Sequence, residues 1–469
     1  MDHQEAGVQV RSRAQILSAA VVLAVMVAGG VYLQREVGPK APASGPPSQA
    51  PSGAWFCPHG GGTDWEVTLA VANPGSSPVD IRVTALSERR PSAPQLYTVE
   101  PGTELLVSQA AGDRDRSTFI EYFGGWVAAG WVAHAGGGEK GVAAEPCLPR
   151  AGQRWFVPDG TSTERQDAFV VVMNPFAADA VFTLTLYTQK QAPITTEAWT
   201  NVVLKPYRSR AFRLNATALG YDPVSTQIDV KVGRVAAGSL GLSDLGGTRS
   251  SVGVLGEPPE RSILPGGFDQ GATTMVVMNT GESRPGIEGA LLSRDGLLGL
   301  PSIKQGAPRA ASAVIHPVTT DGPSTIEVQS TPGVVVARRT LGESSDRGST
   351  TGVPAPAGAW VVLPAVAGRP FRPGLVLANL GDETVDVTLS VLPSGTGEPP
   401  QPVTMSIPPG RTVAGRNLFV TAKPLAAILA VSSSGTLVLA AASYSLGLEG
   451  FATYAVSAGV PIPDEWVPR

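Results

Sequence analysis

Four times along this chain a hydrophobic run ends in asparagine: VTLAVANPG, FVVVMNPF, TMVVMNTG and GLVLANLG. The asparagines are Asn73, Asn174, Asn279 and Asn379, with spacings of 101, 105 and 100 residues. Each run follows an opening turn, WFCPHGG, WFVPDGT, SILPGGF or WVVLPAV, whose proline lies 14 to 16 residues before the asparagine. Regularity over four copies marks an internal repeat. After each asparagine comes a second run: VDIRVTAL, AVFTLTLY, the weaker IEGALLS, and VDVTLSVL. Strict alternation in three of them places one face on a core and the other in water. A run turning on proline follows, then STFIEYF, STQIDVKV, STIEVQS or LAAILAVSS, and a small-residue run closes the unit. All are short, rich in β-branched and aromatic residues, and bounded by Gly, Pro, Ser and Asn, so they predict strands.

About six or seven strands in about 100 residues is the size of an immunoglobulin-like sandwich. The expected fold is all-β: four tandem immunoglobulin-like β-sandwich repeats over 54–150, 151–258, 259–354 and 355–469. The alternative is a propeller-like closed ring, in which each unit would have to supply two four-stranded blades. The linkers AEPCLPRAGQ, LGEPPER and GVPAPAGA are short, so neighbouring units are expected to touch and to form a stiff rod.

The N-terminus breaks the β pattern. Ile16 to Leu33 is eighteen residues without a charge. As a helix it would span about 27 Å, just enough for a hydrocarbon core. The reading is a short cytosolic tail at 1–13, a transmembrane signal anchor at 14–34 and a Pro-rich tether at 35–53, with the bulk outside the cytoplasm. A cleaved signal peptide, leaving a secreted protein, is the competing reading, with Ala41-Pro42-Ala43 a poor cleavage site. A buried core helix is the third. The tether could hold the folded part on the order of 45 Å from the bilayer.

Composition agrees with a turn-rich β protein: 55 Gly and 42 Pro exceed a fifth of the 469 residues. With 35 basic and 39 acidic residues the net charge is −4, which argues against a nucleic-acid partner.

Candidate chemistry is sparse. Cys57 and Cys147 are the only cysteines, one in the first strand of the first repeat and the other just past its last strand. In an oxidising compartment they are expected to form a disulfide; a nucleophilic Cys57 beside His59 is the sharper alternative, without an orienting third group. The histidines at 3, 59, 134 and 316 are scattered, so no metal and no cofactor is expected. Asp113 and Asp115 alternate with arginines, unlike a calcium loop. Asn215-Ala-Thr217 matches a glycosylation sequon. The four repeat asparagines read as turn residues, with a ligand-contacting rim as the alternative. Trp55, Trp155 and Trp360 read as core or interdomain packing, with carbohydrate stacking as the alternative. No catalytic residues are assigned.

Trp55, Cys57, Pro58, the Gly run after it and Asn73-Pro74, placed behind an N-terminal apolar segment and a Pro-rich tether, carry a resemblance. The chain resembles a domain-of-unknown-function family of single-pass envelope proteins from high-GC Gram-positive bacteria. The resemblance implies a place in the envelope, alongside glycan assembly, and no chemistry. The function expected is a membrane-tethered, non-enzymatic scaffold or binding protein engaging a wall polysaccharide or an envelope protein. An envelope glycan-processing enzyme, which would need paired carboxylates, and a single-pass sensor are the alternatives.

Overall fold

The computed structural model describes residues 52–469, apart from 110–111, 190–191, 244–247, 267–271, 304–306, 317–321, 342–346, 364–370, 396–397, 416–426, 436, 449–450 and 469. The tail, the anchor and the tether up to residue 51 lie outside the described residues, as does His3. Among the described residues no helix is long and apolar enough to cross a membrane.

Pro47–Arg469 is one compact unit made of antiparallel sheets. The first repeat contains eight strands, one or two more than the pattern suggested. They are β1 (Gly53–Cys57), β2 (Trp65–Asn73), β3 (Val79–Leu86), β4 (Gln95–Val99), β5 (Thr103–Gln109), β6 (Ser117–Phe123), β7 (Ala128–Ala135) and β8 (Gly141–Pro146). One sheet has the order β1-β6-β3-β4 and the other β5-β2-β7-β8. The same two orders recur in the next three repeats. The chain then returns to its own first strand: Val254–Leu255 pairs with Arg154–Val157, and Val460–Pro461 with Ala359–Val362.

The two sheets of a unit bury different faces. β3 alternates, burying Val79, Ile81 and Val83 and exposing Asp80. β2 and its counterparts do not: Leu69 to Asn73 and Val170 to Asn174 are buried without a break. A strand buried on both faces reads as a continuous apolar run. One face of that sheet covers the unit's own core, and the other needs a neighbour.

The neighbour is the first sheet of the preceding unit, and the contact recurs with the same backbone hydrogen bond. Ser209 N–H of unit 2 donates to Ser87 O of unit 1, at 3.3 Å. Ala311 donates to Thr188, 3.2 Å, between units 3 and 2, and Thr412 to Ser293, 3.1 Å, between units 4 and 3. The fourth instance closes the circle: Glu104 N–H of unit 1 donates to Pro393 O of unit 4, at 3.0 Å. Side chains follow the same path. Phe56 meets Phe176 with ring centroids 6.3 Å apart. Phe156 and Tyr187 of unit 2 cluster with Met278, Ala311 and Val335 of unit 3. Leu392 and Leu429 of unit 4 join the core of unit 1.

Eight sheets therefore stack face to face in a closed ring, and the expected rod is corrected to this ring. The physical reason is the second sheet's outer face: in a rod of separate sandwiches its apolar residues would stand in water. The eighth strands meet at the centre. β8 packs against Thr248–Val252 and Phe451–Ala458, and Arg347–Thr350 packs against the same two. Small side chains allow the approach, and a Cβ on Gly141 would stand 2.4 Å from the Thr248 amide nitrogen.

Candidate functional site

The four asparagines are latches. Each sits at the end of a second strand and is buried. Asn73 Nδ2 donates to Ser77 O (2.8 Å) and to Val99 O at the end of β4 (3.0 Å), and Oδ1 accepts from Gly75 N–H (2.9 Å). Asn174, Asn279 and Asn379 repeat all three bonds, to Ala178, Leu204 and Phe176, to Ser283, Ala307 and Gly281, and to Glu383, Ile407 and Gly381. One side chain thus shapes the turn after strand two and ties it to the opposite sheet. Both amide protons are used, so none of the four lines a ligand rim.

Trp55, Trp155 and Trp360 are buried. Their indole N–H groups donate to Val127 O, Val235 O and Ala357 O, each at 2.8 Å. No ring offers a face to a sugar, which removes the stacking alternative because the faces are already covered by core. Ser262 takes the Trp position in unit 3, and the strand Arg261–Pro265 still forms.

Cys57 and Cys147 are joined in a disulfide across a separation of 90 residues. Cys57 is therefore no nucleophile. His59 is buried, with Nε2 2.9 Å from Thr118 Oγ1 and Nδ1 2.6 Å from Gly60 O. Burial pushes its pKa down to about 4, against the Gly60 hydrogen bond, with Arg116 adding to the fall. Among the described residues no three metal-ligating side chains gather. Asn215 of the sequon is held by Ala168 N–H and Gln166 O, at 2.9 and 2.7 Å.

Two charged sites were not singled out by sequence reasoning. The first is buried between units 2 and 3. Arg339, from the strand Val334–Leu341, forms an ion pair with Asp159, donates to Asp222 Oδ1 at 2.7 Å, and reaches Thr161 Oγ1 at 3.3 Å. Arg249 lies 3.9 Å from Asp159 and donates to Thr161 at 2.5 Å. Burial alone would raise the Asp159 carboxyl, but the Arg339 and Arg249 guanidiniums hold it well below the usual carboxylate range. Burial would lower Arg339, and Asp159 and Asp222 keep it above its ordinary value. The group is closed on itself and acts as a tie between units. Its signal in the sequence was Arg338-Arg339 inside VVVARRTL: two cations in a core strand require buried partners.

The second lies on the outer rim, where unit 1 meets unit 2. The unit 2 strand Arg208–Arg213 reads RSRAFR, and the unit 1 loop beside it reads SERR from Ser87. Arg210 pairs with Glu88 at 3.5 Å, Arg213 with Asp167 at 2.7 Å and Lys205 with Asp179 at 2.9 Å. Arg89 and Arg90 are exposed. On the adjoining face of unit 1, Arg82 grips Glu121 with two 2.6 Å bonds and lies 5.7 Å from the Phe123 ring centroid. Tyr207 stands within electrostatic reach of Arg82. Its φ is 51° and it is 39% exposed.

Two solved structures resemble the chain remotely. The Thermotoga maritima 1070 protein is 19% identical, with 23% of this chain and 97% of that one covered and a TM-score of 0.20. Trypsin-activated alpha-2-macroglobulin from Escherichia coli is 10% identical, covering 88% of this chain and 42% of its own, with a TM-score of 0.12. Neither likeness carries an argument at those scores. No curated protein matches. A family pattern, described as a family of unknown function (DUF5719), matches residues 121–416, from within β6 to just past the strand Thr412–Gly415. That is more than half of the chain, and the chain belongs to this family.

Proposed function

We propose that the protein is a membrane-tethered, extracytoplasmic, non-enzymatic binding protein of the bacterial cell envelope. Residues 14–34 anchor it, residues 35–53 hold the ring off the bilayer, and the ring engages a wall polymer or an envelope protein. Each unit is read as an immunoglobulin-like sandwich with an eighth strand added. The disulfide between Cys57 and Cys147 supports the location, because such bonds persist in oxidising compartments.

The observation that carries the reading is where the polar chemistry has gone. The four asparagines, the three indoles and the Asp159 group are all spent on holding strands or units together. What faces outward in number is the charged rim between units 1 and 2. A rigid ring with a charged outer surface suits recognition better than turnover.

Pull-down tests it. Residues 47–469, immobilised, are offered purified wall polysaccharide and, separately, a detergent extract of envelope proteins. Retention of either supports the reading. Retention of neither, or conversion of the polysaccharide to shorter products, contradicts it.

A further inference from the structure

The junction between units occurs four times with one geometry, so three junctions serve as internal controls for the fourth. The fifth strand is TELLVSQ in unit 1, AASAVIH in unit 3 and TVAG in unit 4. Only in unit 2 does it carry three arginines. The stretches 87–90 and 205–213 hold six cations, Arg89, Arg90, Lys205, Arg208, Arg210 and Arg213. They face four carboxylates: Glu88, Asp167 and Asp179 in ion pairs, and Asp115, whose Oδ2 accepts from the Glu88 N–H. This excess stands on a chain whose net charge is −4. Among the described residues Arg89 and Arg90 have no ion-pair partner, and the ring contact does not require them.

Tyr207 adds a second, independent observation. It occupies the turn between the fourth and fifth strands at φ 51°, where units 1 and 4 place Gly102 (φ 64°) and Gly410 (φ 63°) and unit 3 places Arg309 (φ 50°). Left-handed backbone disfavours a side chain. Unit 2 keeps a tyrosine there, exposed, beside the cations.

We propose that this rim binds a linear polyanionic envelope polymer, one carrying phosphodiester or carboxylate groups at regular intervals. The inference rests on the envelope-binding reading and names its ligand class. Arginine presents a planar fork that matches either anion with two parallel hydrogen bonds. Arg208 and Arg210 are two residues apart on one strand, about 7 Å along it. A repeating anion can thread along such a row, with Tyr207 covering a sugar ring at its end. A row of this kind suits a chain of charges better than a single one.

The test uses the full chain in an uncharged detergent, with polyglycerol phosphate and polygalacturonate as probes and neutral dextran as the blank. R89Q/R90Q/R208Q and Y207G are compared with wild type and with R309Q at the equivalent turn of unit 3. The expected result is binding to at least one polyanion, falling linearly on a log–log plot against salt. The triple variant should bind at least tenfold more weakly, with unchanged thermal unfolding. Y207G should weaken binding several-fold without loss of thermal stability, and R309Q should match wild type. Equal binding by the triple variant and wild type, equal binding to dextran, or retention on phosphatidylglycerol vesicles but on neither polymer would overturn the proposal. If wall material is retained and the triple variant binds it undiminished, only this proposal fails. If nothing is retained at all, the envelope-binding reading fails with it.

Discussion

Replacing Arg339 with methionine should open the seam between units 2 and 3. Arg339 and Asp159 are 4% and 1% exposed in their side chains, so both were taken out of water when the ring formed. Methionine fills much of the arginine volume but leaves Asp159 with Arg249, at 3.9 Å, as its remaining cation. Removing one partner of a buried pair costs about 3–5 kcal/mol, because the remaining charge is stranded. Asp222 also loses Arg339, but it keeps the Thr161 hydroxyl, is partly exposed and can take up water. Water at that site limits the loss, which places the expected cost near 3 kcal/mol. D159N should cost a similar amount, and D159N/R339M much less than the two single changes together, by about 2 kcal/mol of coupling. Urea unfolding of the fragment 47–469 measures all three, from the shift in midpoint at constant slope. A cost below about 1 kcal/mol for R339M, or strict additivity in the double variant, would refute the idea that this ion pair ties the units. The acid dependence has a definite sign. Asp159 is held below its ordinary range, so its stabilisation is complete above that range and is lost as the pH falls through and beneath it.

Three further outcomes are expected. His59 is neutral in the fold down to about pH 4 but protonates near 6.5 when unfolded, so stability should fall by roughly 3 kcal/mol as the pH drops between those values; H59Q should lose that slope in pH-resolved urea melts, and an unchanged slope would contradict the assignment. C57S/C147S frees a 90-residue separation, and the chain-entropy account gives a loss of roughly 4–5 kcal/mol, measured by the urea midpoint against oxidised wild type, while reduced wild type should match the variant. N279A removes three hydrogen bonds and strands Ala307 O, so about 3 kcal/mol should be lost in the same assay, and less than 1 kcal/mol would show that water replaces the latch.

Much of the fold is legible in the sequence because its determinants are local. The alternation in VDIRVTAL and VDVTLSVL, the turn chemistry of Asn73 and Asn379, and the placement of the two cysteines are each written within a few residues. The ring is not local, and it was legible only by contrast. LAVAN and VVVMN are apolar without alternation, whereas the third strands alternate. That difference says that one sheet of each unit is covered twice, and four units can cover one another only if the last meets the first. The eighth strands were missed because GVAAEP and TRSSV are small and mildly polar, which suits crowding at an axis but resembles linker. Arg339 was missed because its partner Asp159 is 180 residues away, in a stretch that reads as a Pro-Asp-Gly turn. The rim was missed for a different reason. Arg89, Arg90 and Arg208 look like ordinary solvated charges until Ser209 and Ser87 bring their two segments together.

Small-angle scattering on the fragment 47–469 tests the central claim, that unit 4 closes onto unit 1. A compact body of its 423 residues has a radius of gyration of about 22 Å. Four separate domains of about 100 residues in a row would extend to roughly 140 Å and give about 40 Å. The closed ring predicts the smaller value, unchanged in a variant whose linkers are lengthened by a few residues. A value near the larger figure, or one that grows with linker length, would contradict ring closure.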